Sequence, residues 1–304
     1  AQMQLEWKAE RKASIGKTVF PYPYREGQKD LAAAVYRTIW HGKKLFIQAP
    51  TGVGKTLSTV FPAVQAVGQE LGDKIFYLTA KTITRTVAEE AFSLLKKQGL
   101  HYKVLTLTAK EKICFCEEPD CNPEKCPYAR GHFDRVNDAV YELLTSYEEN
   151  SANYSRERIM EQAEKWKVCP FEMALDVSLW SDAIICDYNY VFDPQAKLKR
   201  FFAEGVKGDY LFLIDEAHNL VERGREMYSA TLYKEDFLEV KRFLKPFSRK
   251  AVAALERGNK YLLEWKRECG EYTLLSNIDS FALNLFNVSH ALEQLLEDRE
   301  SVMN

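Results

Sequence analysis

The sequence has no run of about 18 apolar residues, so nothing in it reads as a membrane span. A signal-peptide pattern is also missing. Charge of one sign is equally scarce. The 42 Lys and Arg against 44 Asp and Glu leave a net of −2, so no chain-wide field attracts nucleic acid. Any such binding must come from a local patch. The start, Ala1–Gln2–Met3, lacks a clear initiator and reads as a trimmed or internal start. What remains is a chain of 304 residues, 46% hydrophobic, enough for one large domain or two ordinary ones with a sizeable core.

The most informative stretch is Ala49 to Thr56, A-P-T-G-V-G-K-T. It follows a short apolar run, Leu45–Phe46–Ile47, that reads as a buried strand, and precedes the start of a helix at Leu57. Strand, glycine loop and helix form the setting of a phosphate-binding loop. Loop N–H groups and the positive helix end converge on phosphate there. Gly52 and Gly54 permit a close approach that a Cβ would obstruct. Lys55 reaches the β- and γ-phosphates of a nucleotide, and the Thr56 hydroxyl ligates Mg²⁺. Ala49 stands where the first glycine of the usual pattern falls. Ahead of the loop, Arg25 and Gln28 suit adenine recognition, because an amide both donates and accepts; a helix-cap cluster is the plainer account of the same pair.

Downstream, apolar strands alternate with helical patterns, which predicts an α/β domain with a parallel sheet. Ile75–Leu78 ends at Thr79–Ala80–Lys81–Thr82, a small polar surface at a strand's C-terminal end that suits a phosphodiester. Val104–Leu107 is a further strand. Ala183–Cys186 is another, with Cys186 a small buried residue. It ends at Asp187–Tyr188–Asn189–Tyr190, where aromatic and amide groups suit a single strand; Phe192, just beyond, reads as core. The most apolar strand, Tyr210–Ile214, ends at Asp215–Glu216–Ala217–His218. An acid at a strand tip beside a phosphate loop holds Mg²⁺ (Asp215), the next deprotonates the attacking water (Glu216), and His218 senses the γ-phosphate. Residues 1–19 read as a charged helix, the tail of an upstream domain. From Leu232 onward the pattern is helical, with apolar residues such as Phe281, Leu285, Val288 and Leu292 at helical spacing.

Between the strands, residues 110–170 break the rhythm and cannot build a core of their own. Five of the seven cysteines fall here: Cys114, Cys116, Cys121, Cys126 and, after a long gap with two helical patterns, Cys169. The pattern is a metal-stapled insert. Zinc sites favour tight paired knuckles. Loose gaps, a remote last ligand and two Cys-Pro steps favour an iron–sulphur cluster, with zinc left open. The ligand set chosen is Cys114, Cys121, Cys126 and Cys169, with Cys116 spare and His132 a surface residue.

With these motifs in one order, the chain resembles the iron–sulphur superfamily 2 DNA helicases of the XPD/DinG kind over most of residues 20–230. The resemblance implies a P-loop, RecA-like parallel sheet with an inserted cluster domain and a helical Arch subdomain. On that basis residues 1–109 and 171–230 are the two parts of the first motor domain, 110–170 the cluster insert, and 231–304 an Arch-like region cut short. It implies ATP, Mg²⁺ and a [4Fe-4S] cluster as cofactors and 5′→3′ translocation on single-stranded or forked DNA, in the cytoplasm or on a bacterial nucleoid. It also maps roles: Gln28 to adenine; Lys55 and Thr56 to the phosphate loop; Asp215 and Glu216 to metal and water; Thr79, Lys81, Thr82, Tyr188 and Tyr190 to the nucleic acid. No Q-x-x-G-R string supplies arginine fingers, and the S-A-T at Ser229–Thr231 reads as coincidence. The chain therefore reads as a fragment of a longer helicase whose second motor domain lies in the rest of the full-length chain, with little turnover alone. A metal-cluster module that binds single-stranded DNA without turnover is the alternative. A P-loop signalling ATPase leaves the cysteines unexplained.

Overall fold

The computed structural model describes residues 2–49, 54–80, 82–146 and 153–303. In chain order it runs α1 (Gln2–Lys17), α2 (Gln28–Trp40), α3 (Lys55–Gly68), β1 (Lys74–Leu78), α4 (Thr82–Lys96), β2 (Val104–Thr106), α5 (Lys110–Ile113) and α6 (His132–Thr145). Then come β3 (Asn153–Tyr154), α7 (Arg156–Trp166), α8 (Pro170–Trp180), β4 (Ala183–Cys186), α9 (Asn189–Phe192), α10 (Lys199–Phe202) and β5 (Tyr210–Ile214). A 3-10 turn, Ala217–Asn219, leads into α11 (Leu220–Met227), α12 (Lys234–Leu244), α13 (Arg249–Glu268) and α14 (Asp279–Met303). The chain divides into two compact units, Ala1–Tyr228 and Ser229–Asn304. No described helix is long and apolar enough to cross a membrane.

The first unit is built on a parallel sheet of order β3-β2-β4-β1-β5. β1, β2 and β4 are buried along their whole length, as parallel strands covered on both faces are, which is why they read as continuous apolar runs. Side chains alternate between faces along each strand. Ile75, Tyr77, Val104, Ala183 and Ile185 meet α1, α3 and α4 on one face. Phe76, Leu78, Leu105, Ile184 and Cys186 meet α6, α7 and α8 on the other.

Two sequence expectations meet the structure here. The helices of the cysteine region, read as unable to build a core of their own, share the sheet's. Val136, Ala139, Leu143, Ile159, Ala163 and Val177 complete the core on one face of the sheet. Helix α1 is not the tail of another domain. Arg11 forms a buried ion pair with Asp182 at 2.6 Å, the Trp7 indole donates to the same carboxylate at 2.9 Å, and the Lys103 backbone N–H donates to it at 2.8 Å. One buried carboxylate thus accepts three donors and ties α1 to the start of β4.

Another expectation fails at Leu45–Phe46–Ile47. Residues 43–49 form no strand, and Phe46 is 89% exposed. Three apolar residues are too short a run to hold a strand without a hydrogen-bonded neighbour. Among the described residues none pairs with this segment or with the outer edge of β5, where Phe212 is 42% exposed. The short edge strand β3 went unread, since two residues carry no period.

The second unit is helical, as read. Phe237 and Leu244 of α12, Ala251 and Leu255 of α13, and Phe281 and Ala291 of α14 form its core. Gly258 lets α13 approach closely: a Cβ there would lie 2.5 Å from the Phe237 ring.

Truncating one member of a buried ion pair leaves the other charge stranded, at about 3–5 kcal/mol. Asp182→Ala is expected to lower the unfolding free energy by about that amount, read by urea denaturation. A loss under about 1 kcal/mol, within the usual worth of an exposed pair, would show that α1 is held by its apolar contacts alone.

Candidate nucleotide and nucleic-acid site

Parallel pairing puts the C-terminal ends of β1, β4 and β5 at one edge of the sheet, where α/β proteins bind ligands. Helix α3 begins at this edge. Its N-cap, Gly54, has φ 72° and ψ 37°, a left-handed conformation that glycine adopts freely. Lys55 Nζ donates to the Ala49 carbonyl at 3.0 Å. Gln28 is buried against the loop: a Cβ on Gly54 would lie 2.4 Å from its Nε2. Its Oε1 accepts from the Arg25 N–H at 2.8 Å. The predicted adenine reader and the predicted phosphate loop are therefore neighbours. Gly52 lies outside the described residues.

β5 delivers the acids. The Asp215 N–H bonds the Leu78 carbonyl of β1 at 2.9 Å, which seats it at the sheet's edge. Asp215 Oδ1 accepts from the Glu216 N–H at 3.0 Å. Glu216 has φ 51° and ψ 43°, the left-handed region that costs a residue with a side chain about 1–3 kcal/mol. The structure offsets this cost at the Glu216 carbonyl. Asn219 donates to it from the backbone at 2.9 Å and from Nδ2 at 3.1 Å, and the Tyr188 hydroxyl lies 3.2 Å away. His218 is largely exposed, with Nδ1 3.5 Å from Glu216 Oε2.

Tyr77, on β1, went unread in the sequence. It is buried in the core with its phenol against Asp215 and Thr56. Burial first, then the Asp215 charge, pushes its pKa far above the usual phenol value. Thr56 at the start of α3 and Asp215 at the end of β5 thus share one neighbour.

The predicted strand-contacting residues fare differently. Thr79 is buried, its hydroxyl against that of Thr84. Lys81 lies outside the described residues; Thr82 opens α4. Tyr190 is half-buried against the sheet's core, and burial, then Cys186 and Glu111, pushes its pKa up to about 12. Tyr188 is fully buried, so its ring is not offered to a strand, which corrects the surface reading of that residue. Its hydroxyl donates to the Asp215 carbonyl instead. Beside it, Asp187 Oδ1 accepts from Arg223 of α11 at 3.1 Å, and Arg85 of α4 lies 3.9 Å from Oδ2.

The five cysteines of the middle region line one cavity of about 290 Å³, with Phe115, Tyr128 and Phe171. Cys116 Sγ lies 3.9 Å from Cys126 Sγ, so the residue read as spare is in the group. Among the described residues no three Cys, His, Asp or Glu side chains are grouped to hold a single metal ion. His132 is buried, not on the surface; its Nδ1 accepts from the Cys169 N–H at 3.2 Å, and burial lowers its pKa.

A family model described as DEAD_2 matches residues 79–237, just over half of the chain, and one described as DEAD/DEAH box helicase matches residues 26–115. The chain belongs to the DEAD_2 family, among the XPD-like superfamily 2 helicases. The General transcription and DNA repair factor IIH helicase subunit XPD/RAD3 of Saccharomyces cerevisiae is 24% identical over 246 residues, 66% of this chain and 30% of that protein. Two solved structures share the fold. One titled XPD_Helicase has a TM-score of 0.53 at 19% identity and covers 91% of this chain and 47% of that one. One titled Truncated XPD has a TM-score of 0.53 at 18% identity, with coverage of 89% and 76%. The DEAD_2 chain thus spans under a third of the yeast relative.

In this DEAD_2 chain, Tyr77, Asn219, Arg85 and Arg223 carry no motif spacing that would have revealed them. Only the fold brings them to the site.

Gly54→Ala would force a left-handed alanine, at about 1–2 kcal/mol, and push its Cβ into Gln28. Its urea midpoint is expected to fall accordingly at an unchanged slope. An unchanged midpoint would mean that the loop adopts another conformation without strain.

Proposed function

We propose that this chain is the nucleotide-binding, cluster-bearing first motor portion of an ATP-driven DNA helicase. The observation that carries the reading is the convergence of Thr56 and Asp215 on the Tyr77 phenol, at the start of a glycine-capped helix and the end of β5. In that arrangement Thr56 and Asp215 would ligate Mg²⁺, and Lys55 would meet the β- and γ-phosphates of ATP. Gln28 would read the adenine edge from beside the loop. Glu216 would take a proton from the attacking water, and His218, exposed beside it, would respond to the γ-phosphate. Gly52 belongs to the same loop in the sequence.

The nucleic-acid ligand would be single-stranded or forked DNA, moved 5′→3′. Its contacts would come from the segment Thr79–Thr82, including Lys81, and from the surface around Tyr190. Residues 231–304 would form part of an Arch, and a second motor domain in a longer chain would supply the arginine fingers. Fingers of that kind contribute about 10³–10⁵ in rate. The cavity lined by five thiols, reached by loosely spaced cysteines with two Cys-Pro steps, is a donor set that suits an iron–sulphur group. Cys114, Cys121, Cys126 and Cys169 would hold it. When bound it would tie the ends of the cysteine loop to the start of α8.

Two measurements test this reading. The chain is expected to bind ATP with Mg²⁺ and to turn it over at a rate close to nil. A form extended by a second motor domain should hydrolyse ATP, faster with single-stranded DNA, and lose this with Lys55→Ala. Efficient turnover by the short chain, or none by either form with its metal centre intact, would overturn the motor reading; the second result leaves a DNA-binding module.

For the metal centre, anaerobically purified Cys114→Ser is expected to lose iron and visible absorbance, while Cys116→Ser keeps both. The reverse result would move Cys116 into the ligand set. A colourless protein with stoichiometric zinc would rule out the cluster.

A further inference from the structure

Tyr188 sits between the nucleotide site and the nucleic-acid surface proposed above. It is fully buried at the end of β4, and its hydroxyl donates to the Asp215 carbonyl and lies 3.2 Å from that of Glu216. Asn219 donates twice to the same Glu216 carbonyl, at 2.9 and 3.1 Å. These groups hold Glu216 at φ 51°. The residues on either side of Tyr188 are fastened as well. Arg223 of α11 bonds Asp187 at 3.1 Å and Asn189 Oδ1 at 2.8 Å, and Arg85 of α4 lies 3.9 Å from Asp187. Arg85 follows directly on the Thr79–Thr84 stretch, whose two end hydroxyls are in contact. The segment 187–190 is thus tied to α4 on one side and to the Asp215–Glu216 turn on the other. A displacement of that segment would be passed to the Glu216 backbone through these contacts.

We infer that Tyr188 is a positioning residue that couples nucleic-acid occupancy at the ends of β1 and β4 to the backbone conformation of Glu216. It touches neither ligand. It acts through the carbonyls of the two acids, and the inference rests on the nucleotide and nucleic-acid sites proposed above. Coupling of this kind is reciprocal: a strand that alters the nucleotide site must find its own affinity altered by nucleotide, by a factor of about 5–150 in typical cases. It can therefore be read by binding alone, without turnover.

The experiment measures anisotropy of a fluorescent oligodeoxythymidine on this chain, with and without a non-hydrolysable ATP analogue and Mg²⁺. Wild type is expected to show a nucleotide-dependent change in oligonucleotide affinity of about 5-fold or more. Tyr188→Phe keeps the ring and removes the hydroxyl. It is expected to shrink that change to under about 2-fold, below the usual range of coupling, with the affinity for each ligand alone preserved. Asn219→Ala removes an independent donor to the same carbonyl and should shrink it in the same direction; it carries the test if Tyr188→Phe is unfolded at the assay temperature. Full coupling in both variants would overturn the inference. So would weaker oligonucleotide binding by Tyr188→Phe without nucleotide and with coupling intact, which is the mark of a direct contact. A wild type that binds both ligands without coupling also overturns it. A wild type that fails to bind one of them overturns the proposed function itself, and this inference with it.

Discussion

The hydrogen bonding of β1 to two parallel neighbours governs this molecule. Leu78 lies opposite Cys186 of β4 and Ile214 of β5, so residues 79, 187 and 215 leave the sheet side by side. The Thr79 N–H reaches the Cys186 carbonyl and the Asp215 N–H reaches that of Leu78, which extends the ladder one step beyond the strands on both sides. Three polar segments distant in sequence are thereby fixed at one edge within a residue's rise. A one-residue slip would send every strand side chain to the opposite face, and both cores forbid it.

How much of this was legible in the sequence follows from how local each signal is. The helix start after the glycine loop, β5 with its terminal acids and the helical spacing of the last unit are short-range patterns, and each falls on the expected element. The Leu45–Ile47 run misled because burial of a strand depends on neighbours, and hydrophobicity alone does not supply one. His132 misled for a related reason. A histidine at a helix start gives no sign that the Cys169 N–H, 37 residues away, will bond its ring. Asp182 stands in no sequence pattern, and only the docking of α1 makes it a buried anion. Tyr188 was seen, but one aromatic at a strand end serves a surface or a core equally well. The direction of its side chain is set by the turn it enters.

The left-handed Glu216 shows why such a residue stays where it is. A strained backbone persists only when its surroundings over-determine it. Here three donors from two residues reach or approach one carbonyl, and the Glu216 N–H is taken by the preceding carboxylate. The side chain of the proposed water-activating acid is thus aimed by its backbone, while the carboxylate itself is left partly open to solvent. Among the described residues His218 is the one basic side chain within 4 Å of that carboxylate, at 3.5 Å and itself mostly exposed. A rigid base with a lightly held acid group is suited to a site that must still accept a nucleotide.

The cysteine region and the sheet are one mechanical body for a comparable reason. Helix α8 begins next to Cys169, at the thiol-lined cavity, and buries Met173, Ala174 and Val177 in the sheet's core. Near its far end the Ser178 carbonyl accepts from Lys74 Nζ at 2.9 Å, and the Ser181 carbonyl accepts from the same ammonium. Lys74 opens β1. Burial holds its pKa down to about 8, so its charge is tolerated at neutral pH because those carbonyls solvate it. The helix therefore runs from the cavity at one end to the first residue of the central strand at the other. Whatever fixes the position of Cys169 also bears on the seating of β1, and β1 carries Tyr77 and Leu78 to the nucleotide edge. A staple at the cavity would stiffen the motor's own sheet.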